Sequence, residues 1–140
     1  MLKIKKELVP LYHGNSKKGI LHIAICDEKG YKQLIETIDK GDTVASNIDS
    51  YPPFKEFAGL AYQRNHEKGH KDWWVIFNYN PKKKINIDTI AHESLHITRM
   101  ILDSRGVVFD PNNDEPFAYM TGWIAQAIYN NIPKNMLKQK

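Results

Sequence analysis

The chain has 140 residues, 41% of them hydrophobic and 26% charged, with a formal net charge of +4 and one cysteine. This length and apolar content suit one hydrophobic core, so we predict a single domain over residues 1–140 that ends in a basic tail from about residue 133. Met1–Lys6 leads into polar sequence, which predicts neither a signal peptide nor a membrane partner and favours a cytoplasmic protein. The lone Cys26 excludes an intramolecular disulfide and is expected to be buried.

In chain order, apolar runs and turn signals predict the elements of the first half of the chain. We expect a strand at Ile20–Cys26, a helix at Tyr31–Asp39, a loop with a short helical turn at 42–57, and two strands at Gly59–Arg64 and Trp73–Tyr79. The last two strands flank a polar segment, which is typical of a hairpin. The second of them has no polar face at its centre and is predicted to be an interior strand covered by a helix. The first is a candidate edge for pairing with an extended peptide.

A long amphipathic segment follows, and its end signals predict a helix at 87–105. Asn86 or Asp88 can cap its start, and Gly106 suits the left-handed position that often ends a helix. The side expected to face the core carries Ile90, Ser94, Ile97 and Ile101, widened by Ala91, Leu95, Thr98 and Leu102. The other side is polar and is expected to face away from the core.

That polar side carries His92 and His96, together with Arg99 and Asp103. With Glu93, the two histidines form the pattern H-E-x-x-H. Histidines four positions apart differ by about 40° around a helix and by about 6 Å along it, so both can bind one zinc ion. Glu93 projects about 60° from His96, where it can act on a metal-bound water without being a ligand itself. The pattern predicts a metal-dependent hydrolase with Glu93 as general base. The plainer alternative is a pair of surface histidines on an ordinary helix.

A second copy of the pattern is present at His66–His70. This copy contains Gly69, has no apolar stripe beside it and lies between two strand-forming segments. These features are typical of a solvated hairpin loop. We therefore expect the metal at the first copy of the pattern.

A zinc site needs a third protein ligand, and the sequence leaves Asp110, Asp114 and Glu115 as candidates. No histidine follows His96. Asp103 lies about 10 Å further along the same helix, which is too far for it to share a metal with the two histidines. The third ligand is therefore expected to come from the segment after this helix.

Glu115 opens a second predicted helix, with Pro116 in its first turn and Pro133 as its terminator. The link from about residue 106 to residue 114 can extend about 30 Å, whereas the return to the level of the histidines takes about 15–17 Å. We favour Glu115 as the third ligand and place Asp114 next. Close packing of the two helices beneath the ion is expected from the small residues on the same face, which are Ala118, Gly122 and Ala125 or Gln126.

The two helices resemble the active-site region of gluzincin metallopeptidases, especially minimal single-domain members and small phage- or prophage-encoded zincins. The resemblance covers residues 86–129, about a third of the chain, with TIAHESLH in one helix and NDEPFAY opening the next. It implies an α+β zincin-like domain in which a short mixed sheet packs against the H-E-x-x-H helix and the following glutamate-bearing helix. It also implies Zn²⁺ held by His92, His96 and Glu115, Glu93 as general base, and a peptide or protein substrate.

Gluzincins usually carry a tyrosine or histidine that stabilises the oxyanion, but no histidine follows Glu115 here. Tyr119 and Tyr79 are our candidates for that role. One alternative function is a non-catalytic zincin-fold protein with a structural or regulatory, phage-related role. A second is a basic nucleic-acid-binding module that uses lysines such as Lys82–Lys84. The lysines are scattered and no base-reading motif accompanies them, so the sequence favours a solvated surface over a nucleic-acid partner.

Overall fold

Four strands form one mixed sheet in the order β1-β2-β4-β3. They are β1 at Leu2–Leu8, β2 at Ile20–Cys26, β3 at Gly59–Asn65 and β4 at Lys71–Asn78. β1 is antiparallel to β2, β3 is antiparallel to β4, and the central strands β2 and β4 are parallel. This computed structural model describes residues 1–10, 19–41, 51–65 and 71–139, with the backbone alone at 39–41. With three helices in the described residues, the fold is a small α+β domain.

The strands confirm most of the sequence prediction. β2 has the predicted bounds, β3 and β4 form the predicted hairpin, and β4 is an interior strand, buried from residue 72 to residue 77. β1 was not predicted, because four of its seven residues are charged. It is an edge strand that pairs along the whole of β2, and lysines are common on edge strands because they discourage pairing with another chain.

The described residues contain three α-helices: α1 at Glu28–Gly41 lies between β2 and β3, and α2 at Ile87–Ser104 and α3 at Glu115–Asn131 follow β4. α1 begins three residues before the prediction, because the Asp27 carboxylate accepts a hydrogen bond from the backbone N–H of Gly30 at 2.9 Å. The end of α2 confirms the expected glycine cap. Gly106 has φ of 74°, and the N–H of Val107 donates to the carbonyl of Leu102 at 2.9 Å.

The helices cover both faces of the sheet. On one face, side chains of β2 and β4 such as Ile23 and Val75 pack with α2 and α3 in the larger apolar core. On the other face, Ala24, Cys26 and Ile76 pack with α1 in a smaller core. Cys26 is fully buried, as expected, and burial raises the pKa of its thiol to about 12. The layered arrangement places α2 directly over one face of the hairpin strands.

The buried side of α2 differs from the prediction at two positions, because Ala91 and Leu95 are exposed. Glu93, which the prediction did not assign to either side, is buried. α2 packs against β3 as well as β4, and contact with β3 buries the side of the helix that carries Glu93. The contact between α2 and α3 includes a hydrogen bond at 3.1 Å in which the Thr121 hydroxyl donates to the Thr98 hydroxyl.

The basic C-terminal segment is anchored to the domain. Met136 and Leu137 are buried, and the N–H of Lys138 donates to the carbonyl of Ile85 at 2.8 Å. Residue 137 thereby pairs beside the segment that leads into α2. None of the helices in the described ranges has the length and hydropathy needed to span a bilayer.

Candidate functional site

His92 and His96 lie on the exposed side of α2, as their spacing predicts. Their Nε2 atoms are 3.1 Å apart and their ring centroids are 4.8 Å apart. Two ligands of a tetrahedral zinc ion, each about 2.0–2.1 Å from the metal, are about 3.3 Å apart. The two imidazoles therefore have nearly the spacing that one zinc ion requires of a pair of histidine ligands.

Glu93 lies between the histidine pair and the protein interior. Its side chain is 7% exposed against 67% for His92, and its Oε1 atom is 3.9 Å from Nε2 of His92. Burial raises the pKa of Glu93, and electrostatic interaction with His92 and His96 opposes that shift. A carboxylate with a raised pKa beside two imidazoles is suited to accept a proton.

Gly59, the first residue of β3, makes the space that Glu93 occupies. A Cβ atom at residue 59 would lie 2.7 Å from Cγ of Glu93 and 3.0 Å from Cγ2 of Thr89. Carbon atoms in ordinary contact are about 3.5–4.0 Å apart, so a side chain at residue 59 would displace Glu93. This role of Gly59 was not predicted. The one signal for it in the sequence is a glycine within a predicted strand, which often marks a close approach of another element.

The structure does not bring Glu115 to the histidine pair. Glu115 is the exposed first residue of α3, and the alternatives Asp110 and Asp114 are exposed as well. In the described part of the chain, no group of three or more His, Cys, Asp or Glu is arranged to hold a metal ion. The second H-E-x-x-H copy, His66–His70, lies outside the described residues. The third ligand therefore stays a prediction.

The orientation of α3 explains why Glu115 is exposed. The helix faces the core with an apolar stripe, and Glu115 is about 160° around the axis from Phe117 in that stripe. Ala118 and Gly122 are also exposed, and a Cβ atom at residue 122 would have no atom within 4 Å. The expectation that Ala118 and Gly122 let the two helices pack closely is therefore wrong. The apolar stripe of α3 buries more surface than the side that carries Ala118 and Gly122 would, so the stripe is the side that faces α2.

The two tyrosines considered for the oxyanion lie in different environments. Tyr119 is 65% exposed on α3, and Tyr79, which follows β4, is partly buried against the larger core. Asp103, which the helix geometry excludes as a ligand, lies 3.9 Å from Arg99 in an exposed ion pair. Both tyrosines stay candidates, and Tyr119 is the one whose side chain solvent can reach freely.

Comparison with known proteins adds no relative. No protein-family model matches the chain, nor does any curated protein or solved structure. A functional argument therefore depends on the geometry of the site and on the resemblance of its motifs.

Proposed function

We propose that this protein is a zinc-dependent hydrolase that cleaves peptides. The observation that carries the proposal is the meeting of three side chains on α2. The Nε2 atoms of His92 and His96 are 3.1 Å apart, and the buried carboxylate of Glu93 lies 3.9 Å from His92. The convergence of two histidines follows from their spacing on a helix, but an ordinary helix does not need a buried carboxylate beside such a pair.

His92 and His96 would hold the metal, and the sequence resemblance adds Glu115 as the third ligand. Zinc, when bound, supplies Lewis-acid activation of water and of the carbonyl that is attacked. Imidazoles bind metal in their neutral form, so the remaining ring nitrogen of each histidine is free to donate to a neighbouring acceptor.

Glu93 would move the proton that hydrolysis requires. Its carboxylate accepts a proton from the attacking water and then delivers it to the amine that leaves when the C–N bond breaks. Burial supports both steps, because a raised pKa brings the proton affinity of Glu93 closer to that of its reaction partners. The close approach of Gly59 on the interior side limits the positions that the Glu93 side chain can take.

The decisive variant is Glu93→Gln, which keeps the size of the side chain and removes its basicity. Zinc-loaded wild-type protein is expected to cleave members of a mixed peptide library, detected by mass spectrometry, while Glu93→Gln binds zinc as tightly and does not cleave. Glu36→Gln, on the exposed side of α1, is the matched control and should retain full activity.

Two results would contradict the proposal. One is peptide cleavage by Glu93→Gln at the wild-type rate. The other is wild-type protein that fails to bind zinc in metal analysis, or that binds zinc equally well after His92→Ala and His96→Ala. Tight zinc binding without cleavage of any peptide would instead favour the non-catalytic alternative.

A further inference from the structure

A cavity of about 940 Å³ lies beside the proposed active site, where β4 leads into α2. Its lining includes the short 3-10 helix at Phe54–Glu56 and the link at 80–86. The side-chain amide of Asn78 fixes the 3-10 helix in place by donating to the carbonyls of Phe54 and Phe57 at 3.0 and 3.1 Å. Thr89 of α2 also lines the cavity.

The lining of this cavity is strongly basic. It includes five lysines and two glutamates, which are Lys55, Lys82, Lys83, Lys84, Lys138, Glu28 and Glu56. None of the five lysines makes an ion pair with another residue in the described ranges. The excess of three positive charges here amounts to most of the formal net charge of +4 that the whole chain carries. Such a cavity is electrostatically complementary to an anionic ligand.

Backbone hydrogen bonds hold these lysines in place. The N–H of Lys83 donates to the carbonyl of Asn80, and the N–H of Lys82 donates to the Asn80 side chain, both at 2.9 Å. Lys138 is fixed beside Ile85 by its own backbone bond. The lysine side chains are exposed, but the backbone that carries them is ordered before a ligand arrives, which lowers the entropy cost of binding.

The cavity adjoins Glu93 through one turn of α2. Thr89 lies four residues before Glu93, about 6 Å along the helix, and both side chains would contact a Cβ atom at residue 59. An extended peptide advances about 3.3 Å per residue, so a peptide at Glu93 would reach the cavity about two to four residues from the reacting bond. Phe54 and Phe57 add apolar surface for the stems of its side chains.

We infer that this cavity binds an acidic segment of the peptide substrate, about two to four residues from the bond that is cleaved. The inference rests on the proposed function, and it adds a substrate class to it. A peptide fits better than a nucleic acid, because the basic surface is a short cavity that reaches Thr89, one turn of α2 before Glu93, whereas a nucleic acid needs a longer track of phosphate contacts.

The test is direct binding of fluorescein-labelled hexaglutamate to zinc-loaded protein, measured by anisotropy, with hexaglutamine as the neutral comparison. Lys83→Gln/Lys84→Gln is expected to weaken hexaglutamate binding about 10-fold, since each exposed ion pair contributes a few-fold. Lys3→Gln/Lys5→Gln on β1 removes the same charge from residues that do not line the cavity and should change binding less than about 2-fold. A peptide library then reports which positions around the cleaved bond favour Asp or Glu.

Each outcome decides a different claim. Equal loss of binding in the two double variants overturns the cavity as the binding site, and so does tighter, cavity-dependent binding of a single-stranded oligonucleotide than of hexaglutamate. Peptide cleavage without preference for acidic residues overturns the inference and leaves the hydrolase intact. Cavity-dependent hexaglutamate binding without cleavage of any peptide supports the cavity as an acidic-peptide site and contradicts the hydrolase.

Discussion

Replacement of Gly59 by alanine tests how tightly β3 holds Glu93. The new Cβ atom would lie 2.7 Å from Cγ and 3.2 Å from Cδ of Glu93, and 3.0 Å from Cγ2 of Thr89. An ordinary contact is about 3.5–4.0 Å, so Cγ of Glu93 must retreat by about 1 Å. Gly59 has no positive φ, so alanine is sterically allowed on the backbone and any loss of stability or activity comes from this contact.

The size of the effect follows from the displacement. Overpacking of this kind costs about 1–3 kcal/mol of unfolding free energy. A misplacement of about 1 Å at a reacting group lowers turnover about 100-fold. Gly59→Ala is therefore expected to lose about 1–3 kcal/mol in urea unfolding and about 100-fold in peptide cleavage. Zinc binding should be unchanged, because the three atoms nearest the new Cβ atom belong to Glu93 and Thr89 and the imidazoles lie on the exposed side of α2.

A double-mutant cycle separates this explanation from a general loss of stability. In a Glu93→Ala background the atoms that clash most are absent, so Gly59→Ala should cost at least about 1 kcal/mol less than in wild type. Gly122→Ala is the matched control, since its Cβ atom meets nothing within 4 Å and alanine in a helix is about 0.5–1 kcal/mol more favourable than glycine. Additive effects of Gly59→Ala and Glu93→Ala, or wild-type cleavage by Gly59→Ala, would refute the reasoning.

The other predictions concern a buried histidine and the third metal ligand. His22 is buried and faces the ion-paired Asp72, and its pKa is lowered from 6.5 to about 4, mainly by burial. His22 is therefore protonated below about pH 6.5 in the unfolded chain but only below about pH 4 in the folded chain. Unfolding free energy should therefore fall by about 2 kcal/mol between pH 7 and pH 5, and His22→Gln should remove most of that fall; equal pH dependence in both proteins would contradict it. For the metal, Glu115→Gln should weaken zinc binding more than about 100-fold in a chelator competition, because even indirect partners of a metal site contribute about 10–100-fold. A loss at Asp114→Asn with none at Glu115→Gln would transfer the role to Asp114.

The sequence predicted those parts of the fold that local signals determine. The period of the apolar residues and the cap residues located α2 and α3 within a residue or two, and the all-apolar run of β4 indicated its interior place. β1 was not predicted because it is held by backbone pairing with β2, and its charged side chains give no strand-like pattern in the sequence. α1 was predicted to begin at Tyr31, where the helical spacing of apolar residues begins, whereas in the structure Asp27 caps the helix, which begins three residues earlier at Glu28.

The candidate site was predicted only as far as a single helix determines it. His92 and His96 face the same side of α2 whatever surrounds them, so their convergence follows from helical geometry alone. The depth of Glu93 depends on where β3 lies, and the direction of Glu115 depends on how α3 packs on the core. The burial of Glu93 and the direction of Glu115 are both tertiary properties, which local sequence patterns do not determine. The predicted packing at Ala91, Leu95 and Gly122 was wrong for the same reason.

Two residues that are unfavourable for stability meet at one contact in this domain. Gly59 gives up side-chain packing in a strand, where glycine is a poor choice, and Glu93 places an ionisable group in a buried position that raises its pKa. A larger residue at 59 with an apolar residue at 93 would fill the same space at lower cost. Sequences depart from such locally consistent choices chiefly at functional sites. Gly59 and Glu93 depart from these choices at the same contact, which lies one turn from the basic cavity and beside the histidine pair. Their contact supports the proposed reaction centre between β3 and α2 by an argument that does not involve the metal.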